Sequence, residues 1–462
     1  MAFLQRAWFI VLFFVLTLFL VLWVGFFGKN IKGGVSMLEE IKTWGDVHIS
    51  KYKLDNGLTV LLAVEKKSPV FAYYTYFNVG SRHEEEGKTG LAHFFEHLLF
   101  KESKNLKEGE FDRLMEENGA QTNASTWVDW TNYYQVLPVD AEKIELVVRL
   151  EAERLQNMQI NEKQVTSEMG VVQNERRFRV DNDIDGTMNE ALNRLAYEKH
   201  PYGRPIIGWM EDITKYNVQD CLAFYNTYYA PNNATIVIAG NIDPRKTMTL
   251  IQKYYGEIPA SQIPEKEIPI EPSQTKEKRK KISRSDIEAE KALYAYHATA
   301  YDHPDTPAIE LLSEILFNGE GARLYKQMII EEEIASEVNA WFGHLKDPAL
   351  FQISVSMRKR QPIQKAHNRI FAEFKKVQKE GVTQQELDRA KNRFEMSYYG
   401  SLGTVGGKAR ALGQYDVVFG DYKKAVKLMD RYQSVTLEDI QRVSQKYFVA
   451  SNRSIVEARP KR

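Results

Sequence analysis

His93, Glu96 and His97 stand in the order H-x-x-E-H inside Gly90–Phe100, a run whose remaining residues read as one apolar-faced helix. Residues four apart on a helix are neighbours. Two imidazoles so placed can grip one metal ion, and the carboxylate beside the second can act on metal-bound water. Taken alone, the pattern also fits two surface histidines beside an apolar stripe. A catalytic zinc commonly takes three protein ligands and leaves a fourth position to water, so a further ligand must come from elsewhere. The stretch from Glu162 offers Glu168 and Glu175, two helical turns apart and therefore on one face. Paired carboxylates are ordinarily solvated. Here Val165, Met169 and Val172 should pack inward among them, so at least one carboxylate borders the core and needs a cation.

These residues resemble the pitrilysin and mitochondrial-processing-peptidase family of zinc metallopeptidases with the inverted motif. The resemblance covers nearly everything after about Val47. It is carried by Phe77-Asn78-Val79-Gly80-Ser81-Arg82 before the metal helix, by Phe111-Asp112-Arg113-Leu114-Met115, Asn118-Gly119 and Asn123-Ala124 after it, and by Leu150-Glu151-Ala152-Glu153-Arg154. It implies one zinc ion per chain on His93, His97 and Glu175, with Glu96 as general base on zinc-bound water and Glu168 as a carboxylate behind the ligands. The implied activity is hydrolysis of peptide bonds in peptides or unfolded polypeptides. The alternative within the family is a non-catalytic member kept as a structural core of an assembly. An extended substrate is expected to add to a sheet edge, and Gln121–Thr126, short and polar with Asn123 and Ala124 at its centre, is the candidate. An ordinary solvent-facing edge strand fits the same residues.

The rest of the chain must position that helix. With 462 residues, 43% of them hydrophobic, it is long enough for two domains. Lysine plus arginine equals aspartate plus glutamate at 62 each, which removes any electrostatic case for a nucleic-acid partner. The single cysteine, Cys221, excludes an internal disulfide and reads as a small buried hydrophobe. Trp8 to Phe27 is apolar except for Thr17 and Gly25. At about 1.5 Å per residue, a helix of that length spans a bilayer. We read it as an uncleaved single-pass signal-anchor with the catalytic part on the periplasmic or extracytoplasmic side.

Alternation and turn residues predict strands at 57–65 and 70–79, helices at about 88–101 and 108–118, strands at about 120–126 and 130–137, helices from Ala141 and Glu162, and a strand at 234–239. Paired strands followed by runs of helices indicate an α+β domain. We divide the chain into an anchor and linker (1–46), a zinc-binding domain (47–258), a proline-rich and basic linker (259–285) and a second homologous domain (286–462). The repeat shows as Asp220, Tyr228, Asn233, Ile236 and Val237 matching Asp439, Tyr447, Asn452, Ile455 and Val456 at a constant offset of 219. Local alignment sets Glu310, Ser313 and Glu314 against His93, Glu96 and His97, and Glu386 and Arg393 against Glu168 and Glu175. The second copy therefore has no metal site. The resemblance also places Ile329 and Ser336 where relatives carry an arginine and a tyrosine near the substrate carbonyl. It implies a chamber of four such domains, hence two chains. A heterodimer with a homologous chain that supplies the missing pair is expected; a homodimer suffices if Arg323 or Tyr325 takes over from one turn away.

Overall fold

The structure, a computed structural model, describes residues 34–461. The apolar run at 8–27 lies outside them, and among the described residues no helix is long and apolar enough to cross a membrane.

The first half runs β1 (Val35–Thr43), β2 (Val47–Leu54), β3 (Thr59–Val64) and β4 (Val70–Phe77), then α1 (Leu91–Leu98) and α2 (Glu110–Glu117). It continues through β5 (Gln121–Thr126), β6 (Thr131–Pro138), α3 (Ala141–Asn157), α4 (Glu162–Arg176), α5 (Ile184–Ala196), α6 (Val218–Tyr228), β7 (Ala234–Gly240) and α7 (Pro244–Tyr255). The second half holds β8 (Lys278–Arg284), β9 (Lys291–His297), α8 (Thr306–Leu316), β10 (Ala335–Phe342) and β11 (Leu350–Met357). After these come α9 (Gln364–Glu380), α10 (Gln384–Ser401), α11 (Val405–Phe419), α12 (Leu437–Tyr447) and β12 (Arg453–Pro460). Shorter helical turns join some of these elements.

The strands form two mixed sheets, ordered β1-β2-β3-β7-β4-β6-β5 and β10-β11-β9-β12-β8. Apart from the β1-β2 hairpin they share one topology, and the register repeats as well. Leu61 pairs with Val237 across the parallel β3–β7 contact, and Lys280 pairs with Val456, each 219 positions on, across β8–β12. Two tandem α+β domains are therefore present.

The halves do not fold side by side with separate cores. α11 of the second half packs on the first sheet, burying Val405, Ala409 and Leu412 against Leu61, Tyr74, Tyr76 and Val237. α5 of the first half buries Ile184, Met188 and Leu192 in the core of the second sheet. Each apolar side chain of that size contributes about 1.5–3 kcal/mol when buried. At Gly413 a Cβ atom would meet the Tyr76 ring at 2.4 Å, so only glycine lets α11 sit this close. The two exchanged helices begin alike, with Asp183 capping the Gly186 N–H and Thr404 capping the Gly407 N–H. Polar ties reinforce the exchange. Lys51 of β2 reaches Asp416 of α11 at 2.5 Å, and Thr235 donates to the same carboxylate at 3.2 Å. Buried Asp129 accepts from Arg82 (3.3 Å), from the Tyr202 hydroxyl (2.8 Å) and from the Lys346 backbone N–H (2.9 Å), which pins the β10–β11 loop to the first half.

Both linkers expected from composition are shorter in the structure. Residues 35–43 of the first form β1, paired antiparallel with β2, and residues 278–284 of the second form β8, paired parallel with β12. Each lies at a sheet edge, where charged side chains deter pairing with other chains. In the second stretch that charge, with the prolines before it, is what made it resemble a linker. The second sheet accordingly begins before residue 286, inside the stretch assigned to the linker.

Candidate metal centre

α1 has only eight residues, too few to hold its shape alone in water. Its start is fixed by Gly90, whose left-handed backbone (φ 90°) leaves no room for a side chain against the Ile207 carbonyl at 2.5 Å. Buried Glu84 accepts the Gly90 and Ala92 N–H groups at 2.7 and 2.8 Å, satisfying donors that the first turn leaves open. Burial pushes the Glu84 carboxyl up to about 8, against these bonds. Leu91, Ala92, Phe94, Phe95 and Leu98 point into the core, where Phe95 packs on Phe224 and Tyr229 at ring distances of 5.3 Å. That leaves His93, Glu96 and His97 facing a cleft of about 1080 Å³.

α4 lies across from this face. Its N-cap Asn161 accepts the Gln164 N–H, and Val165, Glu168 and Val172 are buried. Glu175, at its last turn, puts Oε2 at 3.3 Å from His97 Nε2 and 3.7 Å from His93 Nε2. The ligand-capable atoms of His93, His97 and Glu175 all lie within 4.8 Å of one another, the one such group among the described residues. Glu168 is buried two turns before Glu175 on the same helix and meets His97 Nδ1 at 2.8 Å. A carboxylate on the far nitrogen of a ligand histidine fixes its tautomer and turns Nε2 toward the metal.

The electrostatics fit a cation at this point. Glu175 Oε2 is buried without a well-aligned hydrogen-bond donor, and so is His93 Nδ1. Burial and the neighbouring His97 push the His93 imidazole down to about 4, the neutral form that a metal needs. Burial acts the same way on His97, but Glu168 and Glu175 outweigh it and lift that imidazole to about 9, so in the metal-free protein a proton occupies the place of the ion. The His97 imidazole beside it holds the Glu175 carboxyl below its ordinary range. Two imidazoles, one carboxylate and an open cleft match the donor set of a catalytic zinc. Glu96 is not among the three converging ligands. Burial raises its carboxyl above the ordinary range despite the Thr126 hydroxyl beside it, as suits a group that must take up a proton.

Asn123 and Ala124 line the same cleft, on β5, and β5 ends the seven-stranded sheet with its outer edge unpaired. The proposed substitutes for the absent arginine and tyrosine lie elsewhere. Arg323 is committed to Glu386 (2.6 Å) and Glu373 (2.8 Å), and Tyr325 packs on the second core; neither lines the cleft, nor do Ile329 and Ser336. Within one chain, then, neither side chain reaches the cleft, and the Arg323 guanidinium is already bound.

Three features escaped the sequence reading. Lys101 holds the second oxygen of Glu168 at 2.8 Å, and its spacing of four from His97 was a usable signal. Arg179 bonds Glu175 Oε1 at 3.0 Å from the π-helical turn Arg177–Asp181, again four residues from its partner. Trp341, Gly343 and Leu345 bring the second half into the cleft wall, and nothing local announces that.

Comparison with known proteins bears on this geometry. The description "Insulinase (Peptidase family M16)" matches residues 59–209, and "Peptidase M16 inactive domain" matches residues 215–394. The zinc protease PqqE of Helicobacter pylori is 29% identical over 412 residues, which is 88% of this chain and 92% of that one. A mitochondrial-processing peptidase subunit beta from Lentinula edodes is 22% identical over 85% of this chain and 86% of its own length. The crystal structure of a protease from Helicobacter pylori superposes with a TM-score of 0.84 at 28% identity, covering 89% of this chain and 99% of that one. Two descriptions of one family tile most of the described chain, and relatives match along nearly their whole length: the chain belongs to the M16 peptidase family.

Proposed function

We propose that the chain is a zinc metalloendopeptidase acting on peptides or unfolded polypeptides, with one zinc on His93, His97 and Glu175. The observation that carries this is the convergence of those three ligand-capable side chains, all within 4.8 Å of one another, on the cleft wall. Zinc bound there would supply Lewis acidity, lowering the pKa of a coordinated water to about 7 and polarising a carbonyl. The protein's own groups do the rest. Glu168 and Lys101 hold His97 in its ligand orientation. Glu96 takes a proton from the attacking water on its carboxylate and passes it to the departing amine. An extended substrate pairs with the free edge of β5 through main-chain hydrogen bonds, Asn123 and Ala124 lying opposite the scissile region.

The test is metal content and hydrolysis together. Purified chain should hold about one zinc by mass spectrometry and cleave an internally quenched peptide, and Glu96→Gln should keep the metal and lose cleavage. Zinc-free, inactive protein would turn the reading to an assembly subunit.

The same reading extends to partners and place. The relative named a processing-peptidase subunit suggests a second homologous chain, and we propose a heterodimer in which that chain supplies the carbonyl-holding arginine and tyrosine. Adding it should raise activity several-fold; full activity from the isolated chain would favour a homodimer. Residues 8–27 are proposed as the anchor that keeps the enzyme at the extracytoplasmic face. Deletion through Lys32 should release soluble, folded protein.

A further inference from the structure

Four of the nine large apolar side chains left exposed among the described residues line one cleft. They are Trp127 (37% exposed), Val171 (47%), Phe178 (78%) and Trp341 (48%). Scattered single exposures need no explanation, but a concentration beside a reactive centre does. Val171 and Phe178 flank Glu175 one helical turn to either side. Trp127 follows directly on the open edge of β5. Trp341 comes from β10 of the second half and meets Trp127 edge to face, ring centres 6.1 Å apart at 85°. The two halves thus build an aromatic wall at the end of the strand that a substrate would extend.

The charges of the cleft point the same way. Three carboxylates (Glu96, Glu175, Glu190) and two guanidinium groups (Arg179, Arg204) line it. Glu175 is taken by Arg179 at 3.0 Å, and Glu190 by Arg176 at 2.8 Å. Arg204 donates to the Glu84 carbonyl at 3.0 Å and makes no ion pair among the described residues. With a divalent ion bound, positive charge is in excess. No carboxylate remains free to receive a lysine or arginine side chain except Glu96, which the reaction needs.

We infer that the substrates are extended, uncharged stretches of polypeptide rich in aromatic and large aliphatic residues, and that the Trp127, Phe178 and Trp341 wall selects them while the cleft disfavours basic side chains. Neighbouring residues of a strand point to opposite faces. A peptide on β5 therefore presents every second side chain to this wall, and a bulky ring there covers apolar surface that is otherwise wet. The inference rests on the peptidase reading, but it concerns binding and can be measured without turnover.

The experiment uses full-length chain carrying Glu96→Gln, zinc-loaded and metal-free, with end-blocked nonapeptides that differ only in having Phe, Ala or Lys at two alternate central positions. Calorimetry should find the Phe peptide bound at least about tenfold more tightly than the Ala peptide, the range a hydrophobic pocket achieves, with the Lys peptide weakest. Trp341→Ala and Phe178→Ala should each reduce the Phe-to-Ala ratio at least threefold, and Trp341→Phe should keep most of it. Circular dichroism and melting temperature establish that the variants are folded. Equal affinities for the Phe and Ala peptides, tightest binding of the Lys peptide, or a preference undiminished in both alanine variants would overturn the inference. Cleavage of Phe and Ala peptides alike by the wild-type chain, with equal affinities in Glu96→Gln, would overturn it while sparing the peptidase reading; a Phe preference in Glu96→Gln beside a wild-type chain that cleaves none of the peptides would do the reverse.

Discussion

In the first half His93, His97 and Glu175 converge on one point of the cleft wall, whereas at the places that sequence alignment sets opposite them in the second half an arginine pairs with a carboxylate. Arg393, opposite Glu175, binds Glu314, opposite His97, at 3.2 Å. Glu310, opposite His93, accepts from His344 at 2.7 Å and from the Tyr432 hydroxyl. Ser313, opposite Glu96, accepts from Asn318 at 3.3 Å. Even the carboxylate behind the ligands has its counterpart: Glu168 orients His97, while Glu386 takes Arg323 and caps its own helix. One scaffold therefore carries two histidines and a carboxylate converging on a cleft in one half and an internal ion pair in the other.

The comparison can be broken most sharply on the metal side. Glu96→Gln should lower peptide hydrolysis by roughly 10²–10⁴-fold with zinc content unchanged, since only proton transfer is lost; His97→Ala should lose both, as mass spectrometry and a cleavage assay will show together. Glu168→Gln should weaken zinc about 10–100-fold in a chelator competition, the usual cost of disturbing a residue behind a ligand, whereas Glu386→Gln should leave zinc affinity untouched. Glu386→Gln acts on acid stability instead. The Arg323 ion pair holds the Glu386 carboxyl at about 2, below the ordinary 4.5, so it stabilises the fold fully above about pH 4.5 and is lost as pH falls toward 2. Melting temperatures of wild type and Glu386→Gln should therefore differ at pH 6 and converge over that window. The smallest effect belongs to Arg393→Ala, which breaks a half-exposed pair and should cost less than about 1 kcal/mol in urea unfolding without recruiting a second zinc. Two zinc ions per chain in that variant would mean that the ion pair, and not the missing histidines, keeps metal out.

The helix bearing His93 and His97 was legible because its chemistry sits at helical spacing; the two-turn spacing offered Glu168 and Glu175 alike, and the family resemblance alone set Glu175 apart. The positions of β3 to β7 and the offset of 219 followed from alternation and from matching residues, whereas β1 and β2 were missed. Three things could not be read locally. β8 is a polar edge strand whose partner β12 lies at the far end of the second half. The exchange of α5 and α11 between the sheets leaves no mark in either helix, because an apolar stripe does not say which sheet it covers. Trp341 reaches the cleft only once the β10–β11 loop is pinned by Asp129, a contact spanning 217 positions.

The helix exchange also sets a timetable for synthesis. When β7 leaves the ribosome the first sheet can close, yet the helix that covers its other face is encoded about 180 residues downstream. At 5–20 residues per second that is roughly 10–40 s during which Leu61, Tyr74, Tyr76 and Val237 have no cover of their own. The nascent chain is therefore most prone to aggregation after His93, His97 and Glu175 have already been made, and a chaperone that shields this one sheet face should raise the yield of folded protein.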